Sequence, residues 1–399
     1  MRPDARAQSA INVLDQWLDG REGLDRVLTA WGRANRYAGS KDRAAIADLV
    51  YDAVRRLRSA SWVAGQDVPT SGRAVLLGSL LLDGADPDLI FSGTHYAPEA
   101  LSDAERAGIR DLDPAPRAVR LDFPEALDAD LASVPDADLE ALRQRAPLDL
   151  RVNTIKSDPA SAIAALQEDE ISVGAVEGAP LALRVVSGAR KVARSRAYLE
   201  GLVEIQDAGS QLLAALATPA PGAAVLDLCA GGGGKALAMA AAAGGTARIV
   251  AHDISADRMK EIPGRAERAG VDIECMSSGR LADLNEAFDL VFIDAPCSGS
   301  GAWRRNPDAK WRLQPTRLAE LNDIQSDLLE QGAALCKPGG SIVYGTCSLF
   351  ACENEDIVEA FLKARPGWHT ARIHRSRPSE GMDGFFGVVL SQGKDSRPN

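Results

Sequence analysis

Apolar residues recur at helical spacing in the N-terminal part of the chain. Leu14 and Trp17 lie on one face of a helix, and the stretch 46–57 repeats this pattern. Over 83–150, short helical stretches alternate with proline, aspartate and glycine, which is typical of short helices joined by a linker. The pattern predicts a helical domain with its linker over residues 1–140.

Strand-like runs surround one helical run in the next part of the chain. Residues 150–155, 183–186 and 202–205 have strand character, whereas residues 160–167 have the spacing of a helix. These four runs predict a small α+β subdomain over residues 141–215.

From residue 222 onward, short apolar runs alternate regularly with helical ones. The strand candidates are 223–229, 248–253, 273–277, 289–296 and 341–348. Near-continuous apolar strands separated by helices predict a parallel, doubly wound sheet covered on both faces, which is a Rossmann-like α/β fold. We expect this domain over residues 216–392 and a tail over 393–399. Ligands of such sheets bind outside the carboxyl ends of the strands.

The composition is that of a globular protein. Of the 399 residues, 46% are hydrophobic and 25% are charged, which excludes a mostly disordered chain. No uncharged apolar run reaches the roughly 18 residues of a membrane span. The first ten residues lack the apolar centre of a secretory signal, and six cysteines without a C-x-x-C pair fit reduced thiols. We therefore expect a cytoplasmic protein.

The net charge of −11 is unevenly distributed along the chain. Residues 83–140 contain 15 acids and 4 arginines, so the rest of the chain is neutral overall and contains two basic runs. The first run is Arg184, Arg190, Lys191, Arg194 and Arg196, and the second is Arg304, Arg305, Lys310, Arg312 and Arg317. Local basic patches bind phosphates whatever the overall charge, so we predict phosphate contacts at both runs. A solvated basic surface is the alternative.

A glycine-rich loop follows the first strand of the alternating region. It consists of Cys229, Ala230, Gly231, Gly232, Gly233, Gly234 and Lys235. Glycines permit a tight turn and the close approach of a ligand, and the following helix offers free N–H groups. Ala236 stands where a P-loop has Ser or Thr, so the loop is typical of another nucleotide-type cofactor site. Asp253 ends the next strand, where an acid binds ribose hydroxyls; a helix-capping role is the alternative.

Two further strand ends each present a cysteine. Asp294 and Cys297 follow the run 290–293, and Cys347 follows the run 342–344. The carboxyl ends of parallel strands share one edge of a sheet, so we expect these three side chains in one crevice. No histidine is close in sequence to either cysteine, which argues against a metal site and against a Cys–His hydrolase. An inert buried thiol is the alternative.

A thiol, an acid and an adenosine-type cofactor together suit methylation of carbon 5 of a cytosine. That carbon is a poor nucleophile until a thiolate adds to carbon 6, and a carboxyl group near nitrogen 3 favours this addition. The methyl donor is then S-adenosylmethionine, and the base must leave its stack to be reached.

Several spaced motifs resemble the Sun-type RNA cytosine-5 methyltransferase family. They are Asp-Ala-Pro-Cys-Ser-Gly-Ser-Gly (294–301), Asn-Pro-Asp-Ala-Lys-Trp (306–311), Gly-Thr-Cys-Ser (345–348), Glu-Asn-Glu (353–355), Gln-Asp-Ala-Gly-Ser-Gln (206–211) and Asp-Gly-Phe-Phe (383–386). The resemblance extends from about residue 150 to residue 392. Residues 42–57 also look like the NusB-like helical RNA-binding domain of the bacterial ribosomal-RNA members.

The resemblance implies a class I methyltransferase that acts on RNA, with ribosomal RNA as the expected partner and no membrane partner. It implies that Cys347 is the nucleophile, that Cys297 assists release of the product, and that Asp294 binds the target base and approaches the cofactor. The loop 229–235 and Asp253 would hold S-adenosylmethionine. No metal is implied, and a monomer is expected.

The chain departs from the family pattern near the cofactor. Gly231-Gly232 stand where the family has Ala-Pro, and Ala236 stands where it has Thr. Ser277-Ser278-Gly279 replaces an acid expected near the adenine. Pro263 should kink or shorten the helix after Asp253.

Three other functions stay open at this point. A DNA cytosine-5 methyltransferase would use Cys297 as its nucleophile, but the second cysteine, Cys347, argues against it. A non-catalytic RNA-binding factor would keep the fold without turnover. A dehydrogenase is disfavoured because it does not explain two cysteines at strand ends.

Overall fold

The computed structural model describes residues 1–20 and 22–393. The helices, numbered along the chain, are α1 (Pro3–Leu18), α2 (Leu24–Ala34), α3 (Ser40–Arg55), α4 (Leu57–Val63), α5 (Gly72–Leu82), α6 (Asp103–Gly108), α7 (Arg117–Arg120), α8 (Asp136–Leu142), α9 (Pro159–Glu168), α10 (Arg196–Leu199), α11 (Ala208–Ala214), α12 (Gly234–Ala242), α13 (Ile262–Ala269), α14 (Ser278–Ala282), α15 (Pro307–Arg312), α16 (Pro315–Leu335) and α17 (Glu355–Ala364). The strands are β1 (Asp149–Val152), β2 (Ser172–Val176), β3 (Ala179–Ser187), β4 (Val203–Ile205), β5 (Ala224–Asp227), β6 (Arg248–Ala251), β7 (Ile273–Cys275), β8 (Phe288–Asp294), β9 (Cys336–Thr346), β10 (Trp368–Ser376) and β11 (Phe385–Gln392).

The chain forms two compact units. Residues 1–145 and 303–314 belong to one unit, and residues 146–302 with those from Pro315 onward belong to the other. Residues 303–314, which the sequence analysis assigns to the Rossmann-like domain, therefore pack with the helical part of the chain. The predicted tail from residue 394 onward lies outside the described residues.

The helical unit is built around a continuous apolar core. Leu14 of α1, Val50 of α3 and Val75 of α5 are fully buried, as their helical spacing predicts. Helices α4 and α5 approach so closely that a Cβ atom on Gly78 would lie 1.8 Å from the Ala60 carbonyl oxygen. Only glycine fits at this crossing, so Gly78 allows the two helices to pack backbone to backbone.

Residues 303–314 are held in the helical unit by buried polar contacts. Lys310 Nζ donates a hydrogen bond to the Arg55 carbonyl at 3.0 Å, and Arg55 Nε donates to the Arg304 carbonyl at 2.7 Å. Trp311 Nε1 donates to the Val54 carbonyl at 2.8 Å. Arg304 and Lys310 are almost completely buried. The prediction that these two side chains contact phosphates is therefore wrong, because both are used inside the protein.

The small sheet is antiparallel and has the strand order β2-β3-β1-β4. The predicted strands appear as β1, β3 and β4, and the predicted helix appears as α9. Helix α9 starts after Asp158, whose carboxylate accepts the N–H groups of Ala160 and Ser161. Strand β2 is missed by the sequence analysis because it is short and largely solvent-facing, so no apolar pattern marks it.

The large sheet confirms the predicted Rossmann-like fold. Its strand order is β10-β11-β9-β8-β5-β6-β7. Neighbours from β9 to β7 are parallel, whereas β11 and β10 are antiparallel additions at one edge. The strand order reverses beside β5, which creates a crevice outside the carboxyl ends of the strands. Pro263 lies in the first turn of α13, so the helical region after Asp253 is interrupted as predicted.

Within residues 1–20 and 22–393, no helix combines the length and the apolar character that crossing a bilayer requires.

Burial of Lys310 predicts a pH-dependent stability of the helical unit. Burial lowers the pKa of Lys310 from 10.5 to about 7. Between these pH values the unfolded chain binds more protons than the folded chain, so stability rises with pH. We expect the free energy of unfolding to increase by up to ~1.4 kcal/mol per pH unit above pH 7. Lys310→Met should remove most of this dependence.

Urea denaturation between pH 7 and pH 9 checks this prediction. Tryptophan fluorescence reports mainly on the helical unit, because Trp368 alone among the tryptophans lies outside it. Lys363→Met, at an exposed position of α17, is the control and should keep the wild-type pH dependence. Equal pH dependence in the wild type and in Lys310→Met would contradict the prediction.

Candidate active site

The glycine loop lies between β5 and α12, beside the crevice of the large sheet. Gly231 and Gly233 have φ values of 52° and 80°, a left-handed conformation that favours glycine. A Cβ atom on Gly233 would also lie 2.8 Å from the Ile262 side chain. These positions explain why the loop between a buried strand and a helix is rich in glycine.

Asp253 fixes the shape of this loop. Its carboxylate accepts the Gly231 N–H at 2.9 Å and the Ser255 N–H at 3.0 Å. Arg258 forms an ion pair with the same carboxylate at 3.0 Å, and Asp253 is 4% exposed. The side chain thus lies beside the cofactor loop, as predicted, and it already has three partners. A contact with ribose hydroxyls stays a prediction.

Two arginines occupy the space above the glycines that replace Ala-Pro of the family. A Cβ atom on Gly231 would lie 2.9 Å from Arg258 Nη2, and one on Gly232 would lie 3.0 Å from Arg265 Nη1. Larger residues in the loop would therefore displace these guanidinium groups. Glycine in place of Ala-Pro therefore leaves room for Arg258 and Arg265. No local pattern in the sequence connects these two arginines to the loop.

The region after β7 lacks the expected acid and contains a serine–histidine contact. Ser278 Oγ lies 3.0 Å from His252 Nε2, and His252 Nδ1 lies 2.9 Å from the Leu228 carbonyl oxygen. His252 is 7% exposed. A serine–histidine contact therefore joins the ends of three neighbouring strands at the position where the family pattern has a carboxylate.

Lys235 and two carboxylates form a buried charge cluster at the base of the crevice. Lys235 Nζ donates to Asp294 Oδ2 at 2.6 Å. Burial lowers the pKa of Lys235, but the ion pair with Asp294 outweighs burial, so the net shift of this pKa is upward. Burial, with a smaller contribution from Asp294, raises the pKa of Asp227 to about 7. Asp294 thus faces an ammonium group that remains charged.

Asp227 is a chemically important residue that the sequence analysis did not single out. It is completely buried, and neither of its carboxylate oxygens makes a well-formed hydrogen bond. The available signal was an acid inside the apolar run Leu226-Asp227-Leu228. Such a position is unfavourable for a carboxylate unless a charged partner lies nearby.

The two cysteines lie side by side, as predicted. Cys297 Sγ and Cys347 Sγ are 3.4 Å apart, well beyond the roughly 2.05 Å of a disulfide, and both residues are free, half-buried thiols. The hydrogen bond with Cys347 and the burial of Cys297 raise the pKa of Cys297 well above its ordinary value. Cys297 is therefore held as a thiol next to Cys347.

Glu353 connects the two cysteine-bearing loops. Its buried carboxylate accepts the Ser298 N–H at 2.7 Å and the Ser298 hydroxyl at 2.5 Å, next to Cys297. It also accepts the Ser348 hydroxyl, next to Cys347, and Gln325 Nε2 at 3.1 Å. One carboxylate thus fixes the residue that follows each cysteine. The sequence analysis identified Glu353 as part of a motif but gave it no role.

Asn354 supports the Cys347 loop from the other side. Thr346 Oγ1 donates to Asn354 Oδ1 at 2.5 Å, and Asn354 Nδ2 donates to the Ser348 carbonyl at 3.0 Å. Both ends of the loop are therefore tied to one buried amide. Among the described residues, His, Cys and carboxylate side chains form no group of three suited to hold a metal ion.

The order of the large sheet and the glycine loop at its crevice define the class of this domain, which is a Rossmann-like methyltransferase domain. Residues 214–385 match the family model described as 16S rRNA methyltransferase RsmB/F. Residues 132–192 match the ferredoxin-like domain of the RsmF/B-like methyltransferases. Two regions of the chain thus match models of RsmB/F-type methyltransferases, which confirms the family resemblance of the motifs.

Curated relatives agree with the family models. The chain is 34% identical over 273 residues to the ribosomal RNA small subunit methyltransferase B of Sodalis glossinidius. This alignment covers 67% of this chain and 61% of that protein. It is 33% identical over 240 residues to the probable ribosomal RNA small subunit methyltransferase B of Synechocystis, covering 59% of this chain and 54% of that protein. The matches thus span roughly half to three fifths of each relative's length.

Solved structures show the same fold. The crystal structure of PH0851 has a TM-score of 0.72 at 21% identity and covers 98% of this chain and 99% of that chain. A methyltransferase homologue protein from Pyrococcus horikoshii has a TM-score of 0.61 at 24% identity, covering 69% of this chain and 98% of that chain.

Replacement of Glu353 should loosen both cysteine loops. Glu353→Gln keeps the shape of the side chain but leaves at least one buried donor of Ser298 or Ser348 without an acceptor. We expect a loss of about 1–3 kcal/mol in the free energy of unfolding. We also expect faster alkylation of Cys297 and Cys347 under native conditions, measured by mass spectrometry of peptides.

Glu359→Gln, at an exposed position of α17, is the matched control and should leave both measurements unchanged. Wild-type stability together with wild-type thiol reactivity in Glu353→Gln would show that the carboxylate does not hold the loops.

Proposed function

We propose that this protein transfers a methyl group from S-adenosylmethionine to carbon 5 of a cytosine in RNA, with ribosomal RNA as the substrate. The observation that carries the proposal is the pair of thiols 3.4 Å apart at the ends of β8 and β9, beside Asp294. The match of residues 214–385 to the methyltransferase model supports methyl transfer, and the names of the curated relatives support a ribosomal RNA of the small subunit. We further propose a cytoplasmic monomer.

The residues around the glycine loop fit S-adenosylmethionine. The left-handed glycines keep the backbone open to a ligand, and Asp253 lies at the end of the second strand, where ribose hydroxyls bind in this fold. Residues 229–235, Asp253 and Asp294 would hold the cofactor, which supplies an electrophilic methyl group.

Cys347 and Asp294 have complementary roles in activating the base. The Cys347 thiolate forms a bond to carbon 6, and the electron pair of the carbon 5–carbon 6 double bond becomes available at carbon 5. The Asp294 carboxylate accepts a hydrogen bond from the amino group of the base next to nitrogen 3, while Lys235 holds this carboxylate in place at 2.6 Å. After methylation, carbon 5 loses its proton and the bond between Cys347 sulfur and carbon 6 breaks.

Cys297 is suited to assist the release step. Its sulfur lies within hydrogen-bond distance of the Cys347 sulfur, so it can stabilise the departing thiolate. Its raised pKa disfavours Cys297 as the attacking group, because the thiolate is the nucleophilic form. This pKa argues against the arrangement of the DNA cytosine-5 enzymes, in which the cysteine at the Cys297 position attacks.

The exposed members of both basic runs stay predicted phosphate contacts. In the second run these are Arg305, Arg312 and Arg317, of which Arg312 and Arg317 also pair with Asp308 and Glu320. In the first run, Arg190, Lys191, Arg194 and Arg196 are exposed, and among these Lys191 and Arg196 also pair with acids on the same unit. The prediction of a phosphate contact is wrong for Arg184, because this half-buried side chain forms a two-pronged ion pair with the buried Asp149. We propose that the exposed members of both runs contact the RNA backbone.

Substitution of each cysteine should separate attack from release. Cys347→Ala should abolish both methyl transfer and any covalent protein–RNA species, because no thiolate can add to carbon 6. Cys297→Ala should accumulate a covalent adduct that survives denaturation and depends on S-adenosylmethionine. Denaturing gel electrophoresis with a labelled small-subunit ribosomal RNA transcript measures both species.

The double variant Cys297→Ala/Cys347→Ala is the control for non-specific cross-linking and should show no adduct. An adduct that forms in Cys347→Ala and disappears in Cys297→Ala would reverse the assignment of the nucleophile.

A further inference from the structure

One face of the small sheet carries buried polar side chains, of which Gln206 lies beside the glycine loop. In the β1–β4 pairing, Arg151 lies opposite Glu204, and Gln206 follows two residues later on the same face. Arg265 of α13 forms an ion pair with Glu204 at 3.3 Å. These four side chains belong to the same compact unit as the cofactor loop.

The cluster contains more positive charge than its acid can balance. Arg268 contacts both oxygens of Glu204 at 2.7 and 3.0 Å, so Glu204 already serves two arginines. Arg151 is 5% exposed, and its buried Nε has no hydrogen-bond partner. Within the described chain, its guanidinium forms no ion pair or hydrogen bond. Arg265 also donates a hydrogen bond to the Gly232 carbonyl, so the three guanidinium groups around Glu204 have one carboxylate and one carbonyl as acceptors. Burial lowers the pKa of Arg151 to about 10.

Gln206 brings an unused acceptor to the start of α12. It is 9% exposed, and its Nε2 donates to Ser210 Oγ at 3.3 Å, while its buried Oε1 has no partner. A Cβ atom on Gly234 would lie 3.7 Å from Gln206 Nε2 and 3.8 Å from Arg265 Nη2. Both side chains thus lie against the first residue of α12, whose N-terminus also favours negative charge.

The charge and hydrogen-bond partners that this cluster lacks indicate which ligand it binds. The surplus of guanidinium groups requires an anion, whereas Gln206 Oε1 requires a hydrogen-bond donor. An RNA phosphate offers acceptors alone, which leaves Gln206 Oε1 without a donor. Arg151 and Gln206 are less than a tenth exposed and are poorly placed for a polymer backbone. An α-amino acid group offers a carboxylate and an ammonium side by side, which matches both needs.

We propose that Gln206 and Arg265 bind the amino acid end of S-adenosylmethionine, with Arg151 supplying the buried positive charge that its carboxylate neutralises. This inference rests on the proposed function and assigns residues outside the loop 229–235 to the cofactor. It also explains Gly232, since the glycine leaves room for the Arg265 guanidinium.

Two ligands that differ in the amino acid end test the proposal. S-adenosylhomocysteine contains this end, and 5′-methylthioadenosine lacks it. By calorimetry, Gln206→Met and Arg265→Met should bind S-adenosylhomocysteine at least tenfold more weakly than the wild type and bind 5′-methylthioadenosine with unchanged affinity. Arg248→Met, an exposed arginine at the opposite end of β6, is the control and should bind both ligands like the wild type.

The melting temperature of Arg151→Met, measured with and without ligand, distinguishes a ligand-binding arginine from a purely structural one. Removal of an uncompensated buried cation should raise the melting temperature of the free protein. The same variant should show a smaller increase in melting temperature on adding S-adenosylhomocysteine. A lower melting temperature with an unchanged ligand effect would overturn the role of Arg151.

The outcomes separate this subsite from the proposed function. Equal weakening of both ligands in the Gln206 and Arg265 variants would indicate a distorted loop, and unchanged binding of both would exclude the contact; either result overturns the subsite. Unchanged binding of S-adenosylhomocysteine with weaker binding of a ribosomal RNA transcript would assign the cluster to a phosphate and overturn it as well. A wild-type protein that binds neither ligand would contradict the proposed function itself.

Discussion

The parallel pairing of β8 with β9 is the constraint on which the candidate active site depends. Asp294 lies opposite Gly345 in this pairing, so the chain beyond each strand delivers a cysteine to the same point. The strands alone would leave two mobile loops. Glu353 removes that freedom because its carboxylate accepts hydrogen bonds from the residues after both cysteines. The 3.4 Å separation of the thiols follows from these two features together.

Burial and neighbouring charges then set the pKa of three groups in the crevice, Lys235, Asp227 and Cys297. Lys235 remains charged because Asp294 compensates it, and the raised pKa of Asp227, about 7, limits the excess of negative charge. The raised pKa of Cys297 keeps that group protonated next to Cys347. The site therefore combines an oriented carboxylate, a proton-bearing thiol and a second thiol, which are the groups that the proposed cytosine methylation would use.

The sequence predicts the elements whose pattern is local. The apolar strands of the large sheet and the polar residues at their ends are recognisable because buried parallel strands read as continuous apolar runs. Whether a charged residue is buried depends on partners that are distant in sequence, so a local pattern does not reveal it. Arg304 and Lys310 look like a basic surface, but both are buried against a helix from a distant part of the sequence. Lys310 donates to the Arg55 carbonyl, and the Arg304 carbonyl accepts a hydrogen bond from the Arg55 side chain. Likewise, a glycine in the cofactor loop does not reveal that Arg265 occupies the adjacent space.

The fate of the hydrogen on carbon 5 tests the account most directly. A small-subunit ribosomal RNA transcript with tritium at carbon 5 of cytosine can be incubated with the protein and S-adenosylmethionine that has a 14C-labelled methyl group. The account predicts one tritium released to water for each methyl group incorporated, because carbon 5 exchanges its hydrogen for the methyl group. Incorporation of methyl groups without release of tritium would place the modification on another atom and contradict the account.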